Sequence, residues 1–252
     1  MQLGMMNDPR LNACDEARWA AAHGFDFLDL TVEGPHAALE QIDLPQLRTI
    51  LTDAGMGIIG HTAWYLPFVT PQKRVRDAAA ECVVESFPLF AELGATWVNV
   101  HLATGARLFP LSQRLQWQAE CFAELAERAA PFGLRIMVEH PPDPLIGASE
   151  IGVVIADPRL GFHLDVGHAH VAGNRLDSLL KHFGPRLAHV HLSDNTGRSD
   201  DHLPLGAGTI GWPETIKKLK QVGYDHTITL EVFSADRDYL LLGARKVREW
   251  WK

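Results

Sequence analysis

Residues 161–170 read G-F-H-L-D-V-G-H-A-H. Phe162 and Leu164 point one way and His163 and Asp165 the other, as the two-residue period of a strand requires. Such a strand carries an apolar row on one face and ends in a carboxylate able to emerge into a pocket. Gly167 permits a sharp turn, and His168 follows Asp165 by three residues. A carboxylate and an imidazole brought together at a strand end make half of a metal site. Read alone, the same residues can equally be an N-capping Asp and a solvated His.

The pattern recurs along the chain. Strand-like segments end in His61, His101, Glu139, Asp165, His191 and Glu231, all drawn from the ligand types His, Asp and Glu. Parity agrees, because Ile59 shares a face with His61, Asn99 with His101, Met137 with Glu139, His189 with His191 and Thr229 with Glu231. A single polar residue at a strand end ordinarily meets solvent; a succession of them points to a shared metal site. Farther on, Asp200 and His202 form a D-x-H pair whose alternate residues project to one side of an extended segment. Gly206 and Gly208 would let that loop fold over the pocket, although a solvated acidic loop reads the same way. Trp64, Tyr65 and Trp212 flank strand ends and can wall a sugar ring or simply pack. Arg198 can bind a hydroxyl or phosphate. Asn99, His163 and His189 lie one layer deeper, either orienting the ligands or forming a polar core layer.

The elements that must position these groups alternate short strands with longer amphipathic helices. Strands are expected at 2–6, 25–31, 57–61, 97–101, 134–139, 161–165, 187–192 and 227–231. Helices are expected at 11–23, 44–54, 71–93 (kinked at Pro88), 112–132, 146–155, 176–183, 212–222 and 238–251. Alternating βα units imply a parallel sheet with right-handed crossovers. Eight units in 252 residues favour a single α/β domain over 1–252, a (β/α)8 TIM barrel, over an open doubly wound sheet. No glycine-rich phosphate loop follows the first strand, which weakens the open-sheet alternative.

Composition narrows the partners. A hydrophobic content of 46% and a charged content of 21% suit a globular protein. No apolar run approaches the ~20 residues of a membrane span, and no basic-then-apolar leader opens the sequence. Cys14, Cys82 and Cys121 form no CxxC pair and read as small hydrophobes in a reducing, cytoplasmic setting. A net charge of −8 argues against a broad nucleic-acid-binding surface but leaves room for a cation-filled site. Trp250 and Trp251 would seal the barrel or meet a second copy in a homo-oligomer.

The motifs V-N-V-H (98–101), V-E-H-P (138–141), L-D-V-G-H (164–168), H-V-H-L-S-D (189–194), D-D-H-L-P-L-G-A-G (200–208) and L-E-V (230–232) resemble those of the xylose isomerase-like TIM barrels. That superfamily includes sugar isomerases and epimerases and the endonuclease IV class of abasic-site nucleases. The resemblance to its ketose epimerases implies one divalent ion held by Glu139, Asp165, His191 and Glu231, with the two glutamates as the acid/base pair. The nuclease branch implies three zinc ions held by those four plus His61, His101, His168, Asp200 and His202, all present here. One to three divalent ions per chain, zinc or manganese, are therefore expected.

Three chemistries follow. In the first, favoured one, a small sugar or sugar derivative is isomerised or epimerised by proton transfer through an enediolate, with Glu139 and Glu231 exchanging the α-proton. His168 would then hydrogen-bond a substrate oxygen, and a phosphate or other anion on the substrate stays an open alternative. The second is phosphodiester hydrolysis by a zinc cluster, opposed by the net charge, the short strand-end loops and Glu33, which would repel a DNA backbone. The third is a non-enzymatic metal-binding protein, the weakest, because an open mouth with two opposed glutamates suits catalysis better than a closed structural site.

Overall fold

A computed structural model describes residues 1–252. Eight parallel strands close into a barrel in sequence order: β1 (Gln2–Met6), β2 (Phe27–Val32), β3 (Gly57–Thr62), β4 (Trp97–His101), β5 (Arg135–Glu139), β6 (Gly161–Asp165), β7 (Leu187–Leu192) and β8 (Thr227–Leu230), which pairs back onto β1. Parallel neighbours need a covering crossover, and the helices supply it. They are α1 (Ala13–Ala22), α2 (Leu44–Ala54), α3 (Lys73–Glu85), α4 (Phe87–Glu92), α5 (Leu111–Ala129), α6 (Ala148–Val154), α7 (Val166–Val171), α8 (Leu176–Phe183), α9 (Trp212–Gln221) and α10 (Asp238–Trp251). Local signals set their ends. In α2, Asp43 accepts the Gln46 N–H at 3.0 Å, Pro45 occupies the first turn, and Gly55 closes the helix at φ +64°. No helix is long and apolar enough to cross a membrane.

Strand parity sorts the side chains. Leu28, Val98, Ile136, Phe162, Val190 and Ile228 face outward and are fully buried beneath the helices. The inward residues stack in layers, as barrel geometry requires. Phe27, Ile59, Met137 and Ala188, with Trp97 against them, form an apolar floor. Above it lie Asp29, Asn99, His163, His189 and Thr229, all with no solvent exposure. The strand-end histidines and carboxylates form the top layer, at the mouth.

Several elements differ from expectation. The helix expected over 71–93 is two helices separated at Ser86, because Pro88 has no N–H to donate and its ring would clash with the carbonyl four residues back. Pro88 instead sits in the first turn of α4. The segment after β6 is a helical turn, α7, rather than a sharp bend at Gly167. Asp165 caps it by accepting the His168 N–H at 2.6 Å. Gly167 is needed there for space, since a Cβ would come 2.6 Å from Ser193 Oγ. β8 ends at Leu230, so Glu231 is the first residue beyond it, its N–H still bonded to the Leu192 carbonyl at 3.1 Å.

Candidate metal centre and catalytic pocket

Glu139, Asp165, His191 and Glu231 bring one donor atom each to within 4.8 Å of one another, and all four are buried. His191 Nδ1 lies 3.0 Å from Glu231 Oε2 and 3.9 Å from Asp165 Oδ2. Burial, opposed by His168 and reinforced by Glu231 and Asp200, pushes Asp165 up to about 8. Its Oδ2 is buried without a hydrogen-bond partner. Three carboxylates and one imidazole in one desolvated volume need a counter-charge, because an unpaired buried anion costs several kcal/mol. The donor set therefore fits a divalent cation, and its mixture of oxygen and nitrogen suits zinc or manganese.

The other expected ligands surround this group. His61 on β3 and His101 at the end of β4 meet Nε2 to Nε2 at 2.7 Å, and His101 Nδ1 is 3.5 Å from Glu139 Oε2. From the loop after β7, Asp200 Oδ2 lies 2.9 Å from His168 Nε2 and 3.2 Å from His202 Nε2, while His202 Nδ1 is 3.7 Å from Glu231 Oε2. Against burial, the Glu231 and Asp200 carboxylates carry His202 up to about 9. Burial alone holds His101 down to about 4, so that imidazole is neutral. His168 is fully engaged: its Nδ1–H donates to the His140 carbonyl at 2.7 Å and its Nε2 meets Asp200. In this arrangement it steadies Asp200 rather than offering a free donor to a substrate oxygen.

The loop carrying Asp200 and His202 is pinned by Asp194. Its carboxylate accepts N–H groups from Asn195, Gly206 and Ile210 and the indole N–H of Trp212. Gly208 is needed for the fold-over, since a Cβ there would come 2.2 Å from the Asn195 carbonyl. Over the ligands opens a cavity of about 940 Å³ whose outer wall includes Arg10, Glu33, Trp64, Tyr65 and Phe233. Trp64 and Tyr65 thus stand at the mouth as expected, edge to face at 5.8 Å.

Two expectations for this wall are corrected. Trp212 is buried at the start of α9 and bonded to Asp194, so it packs beneath the loop and does not line the cavity. Arg198 is exposed and does not line the cavity either. Asp194 and Leu203 pair as a backbone bridge, which turns the residues between them outward. Conversely, Asp29 is a site residue that the strand-end pattern missed: it is inward-facing on β2 but one layer below the mouth. Its parity with Thr31 was the available signal. Asn99 and His163 prove to be ligand supports, since Asn99 Nδ2 donates to Glu139 Oε2 at 2.6 Å and His163 Nδ1 meets Asn99 Oδ1 at 2.9 Å.

Comparison with known proteins agrees with this architecture. A family model described as xylose isomerase-like TIM barrel matches residues 17–252. An uncharacterized protein of Methanocaldococcus jannaschii is 30% identical over 223 residues, spanning 84% of this chain and 76% of that protein. Fructoselysine 3-epimerase of Escherichia coli O157:H7 is 22% identical over 246 residues, covering 92% of this chain and 90% of the relative. Among solved structures, a D-tagatose 3-epimerase-like protein superposes with a TM-score of 0.87 at 25% identity, covering 99% of this chain and 97% of its own.

Proposed function

Because this chain belongs to the xylose isomerase-like TIM barrel family, whose sequence and structural relatives are sugar isomerases and epimerases, we propose that it epimerises or isomerises a small sugar or sugar derivative in a divalent-metal-dependent reaction. The observation that carries the reading is the grouping of Glu139 and Glu231 with Asp165 and His191 beneath an open cavity. These four residues would hold the ion. When bound there, a divalent cation supplies Lewis-acid polarisation of a carbonyl.

The remaining work belongs to the chain's own residues. Against burial, the imidazoles around Glu139 and Glu231 keep both carboxyl groups below their usual range, so each is an ionised base. One takes the proton from the carbon beside the carbonyl, and the other, from across the ligand group, delivers one. Asn99 fixes the Glu139 carboxylate, so its approach to the carbon is set before substrate arrives. Trp64 and Tyr65 shield the mouth, and their rings give the sugar an apolar wall.

The cavity's charges favour an uncharged sugar over a phosphorylated one. Arg10 is its only Arg or Lys, and that guanidinium is forked onto Asp8 at 2.6–3.1 Å. Glu33 faces the cavity with no cationic partner, so a phosphate would meet net negative charge. The convergence of His61, His101, His168, Asp200 and His202 favours a second reading, zinc-cluster phosphodiester hydrolysis; the same lack of free cations opposes it.

The test is solvent exchange. Protein reconstituted with manganese or zinc is incubated in deuterated buffer with neutral ketoses, with their phosphate esters and with abasic-site DNA. Deuterium entering the carbon beside the carbonyl of a neutral ketose is the expected result. Strand cleavage at the abasic site without exchange into any sugar would sink the proposal.

A further inference from the structure

β2 is the one strand among β2–β8 that brings no ligand to the mouth, yet its inward residue Asp29 touches more of the imidazole cluster than any ligand does. Asp29 has no solvent exposure. The β2–β3 register sets Thr31 beside His61 and Asp29 beside Ile59, so the carboxylate sits just beneath the His61 ring. Its Oδ2 accepts hydrogen bonds from His191 Nε2–H at 2.8 Å, His189 Nε2–H at 3.1 Å and Thr229 Oγ1–H at 2.8 Å. Its Oδ1 lies 3.3 Å from His61 Nδ1.

We infer that Asp29 is a positioning residue whose single carboxylate orients one imidazole in each of two ligand groups, presenting His191 Nδ1 and His61 Nε2 to the cation centre. The inference rests on the reading that this centre binds a divalent cation, and not on the identity of the substrate. A carboxylate only accepts, so each ring must turn an N–H toward it and leaves the opposite nitrogen with a free lone pair. For His191 that opposite atom is Nδ1, which already faces Glu231 at 3.0 Å and Asp165 at 3.9 Å. For His61 it is Nε2, which faces His101 Nε2 at 2.7 Å. The flipped tautomer of either ring would aim a lone pair at the carboxylate. The two rings also stack at 5.4 Å with 19° between their planes, so neither reorients without displacing the other. His189 is held apart from the centre, its Nδ1 bonded to Thr227 Oγ1 at 2.8 Å, and serves as a spacer under Asp29.

Two readouts independent of catalysis test this. First, long-range proton–nitrogen NMR of zinc-loaded wild-type protein labelled in its histidines should show His191 ligated through Nδ1 with Nε2 protonated, and His61 protonated at Nδ1. Ligation of His191 through Nε2 overturns the inference without any mutant. Second, zinc is titrated against a chromophoric chelator in wild type, Asp29→Asn and Thr229→Val. Removing the oriented carboxylate should weaken zinc binding about 10–100-fold, with the His191 tautomer no longer fixed. Thr229→Val, which leaves the carboxylate in place, should stay within about threefold. Circular dichroism in chelator checks that the variants fold, and if Asp29→Asn does not, the wild-type tautomers decide. Undiminished zinc binding by a folded Asp29→Asn overturns this inference alone. A wild-type protein that binds no zinc or manganese overturns it together with the proposed function, whereas tight, tautomer-fixed binding without sugar exchange overturns only the latter.

Discussion

The indole N–H of Trp212 donates to Asp194 Oδ2 at 2.8 Å, 18 residues back along the chain. That bond closes the loop carrying Asp200 and His202 against the start of α9. Trp212 therefore acts on the pocket through the loop, never by touching a substrate. Trp212→Phe keeps most of the packing and removes the donor. It should cost about 1 kcal/mol of stability, seen as a melting temperature lower by a few degrees, with no loss of aromatic contact to bound sugar. Asp194→Ala strips the acceptor from four donors and should cost about 3 kcal/mol or more. It should also loosen the loop, measurable as faster amide exchange at residues 200–208.

Glu139→Gln and Glu231→Gln each keep the volume and remove the base. Deuterium exchange into substrate should fall by about 10²–10⁴ in both, and metal affinity should fall as well because each loses an ionised ligand. A variant exchanging deuterium at the wild-type rate would remove that glutamate from the acid/base pair.

Glu33 is the unneutralised charge on the outer wall. Glu33→Lys reverses its sign and should shift the ratio of kcat/KM for a neutral ketose over its phosphate ester by at least about tenfold toward the phosphate. An unchanged ratio would place the substrate's distal end away from this wall.

Metal binding should strengthen as pH rises. In the metal-free protein, His202 stands at about 9 and Asp165 at about 8, so both carry protons at neutral pH that an arriving cation must displace. Affinity is lowest at pH 6, where these groups are protonated, and climbs toward pH 9, by up to about tenfold per unit for each proton displaced. Calorimetry in buffers of different ionisation enthalpy should count at least one released proton at pH 7. A pH-independent affinity between 6 and 9 would contradict the protonated metal-free state.

Much of the site was legible before any coordinates. Period-2 alternation places His61, His101, Glu139, Asp165, His191 and Glu231 on inner faces, and any closed parallel barrel gathers strand C-terminal ends at one mouth. The ligand types and their strand-end positions thus followed from the residue order, as did the cover helices with clear caps, such as α2 behind Asp43. Pro88 also marked its break correctly in place, though not as a complete restart of the helix.

What tertiary structure alone decided concerns depth and direction. Asp29 has the same parity as the ligands, but whether it reaches the mouth or lies a layer below depends on the β2–β3 register, a relation between distant segments. Trp212 and Arg198 sit near strand ends in the chain, and the Asp194–Leu203 bridge turns one under the loop and the other out to solvent. His168 shows a site spacing, yet its two nitrogens are taken by His140 and by Asp200, 32 residues downstream. A residue's face is set by its neighbours along the strand; the partner its polar atoms find is set by which other strands close around it.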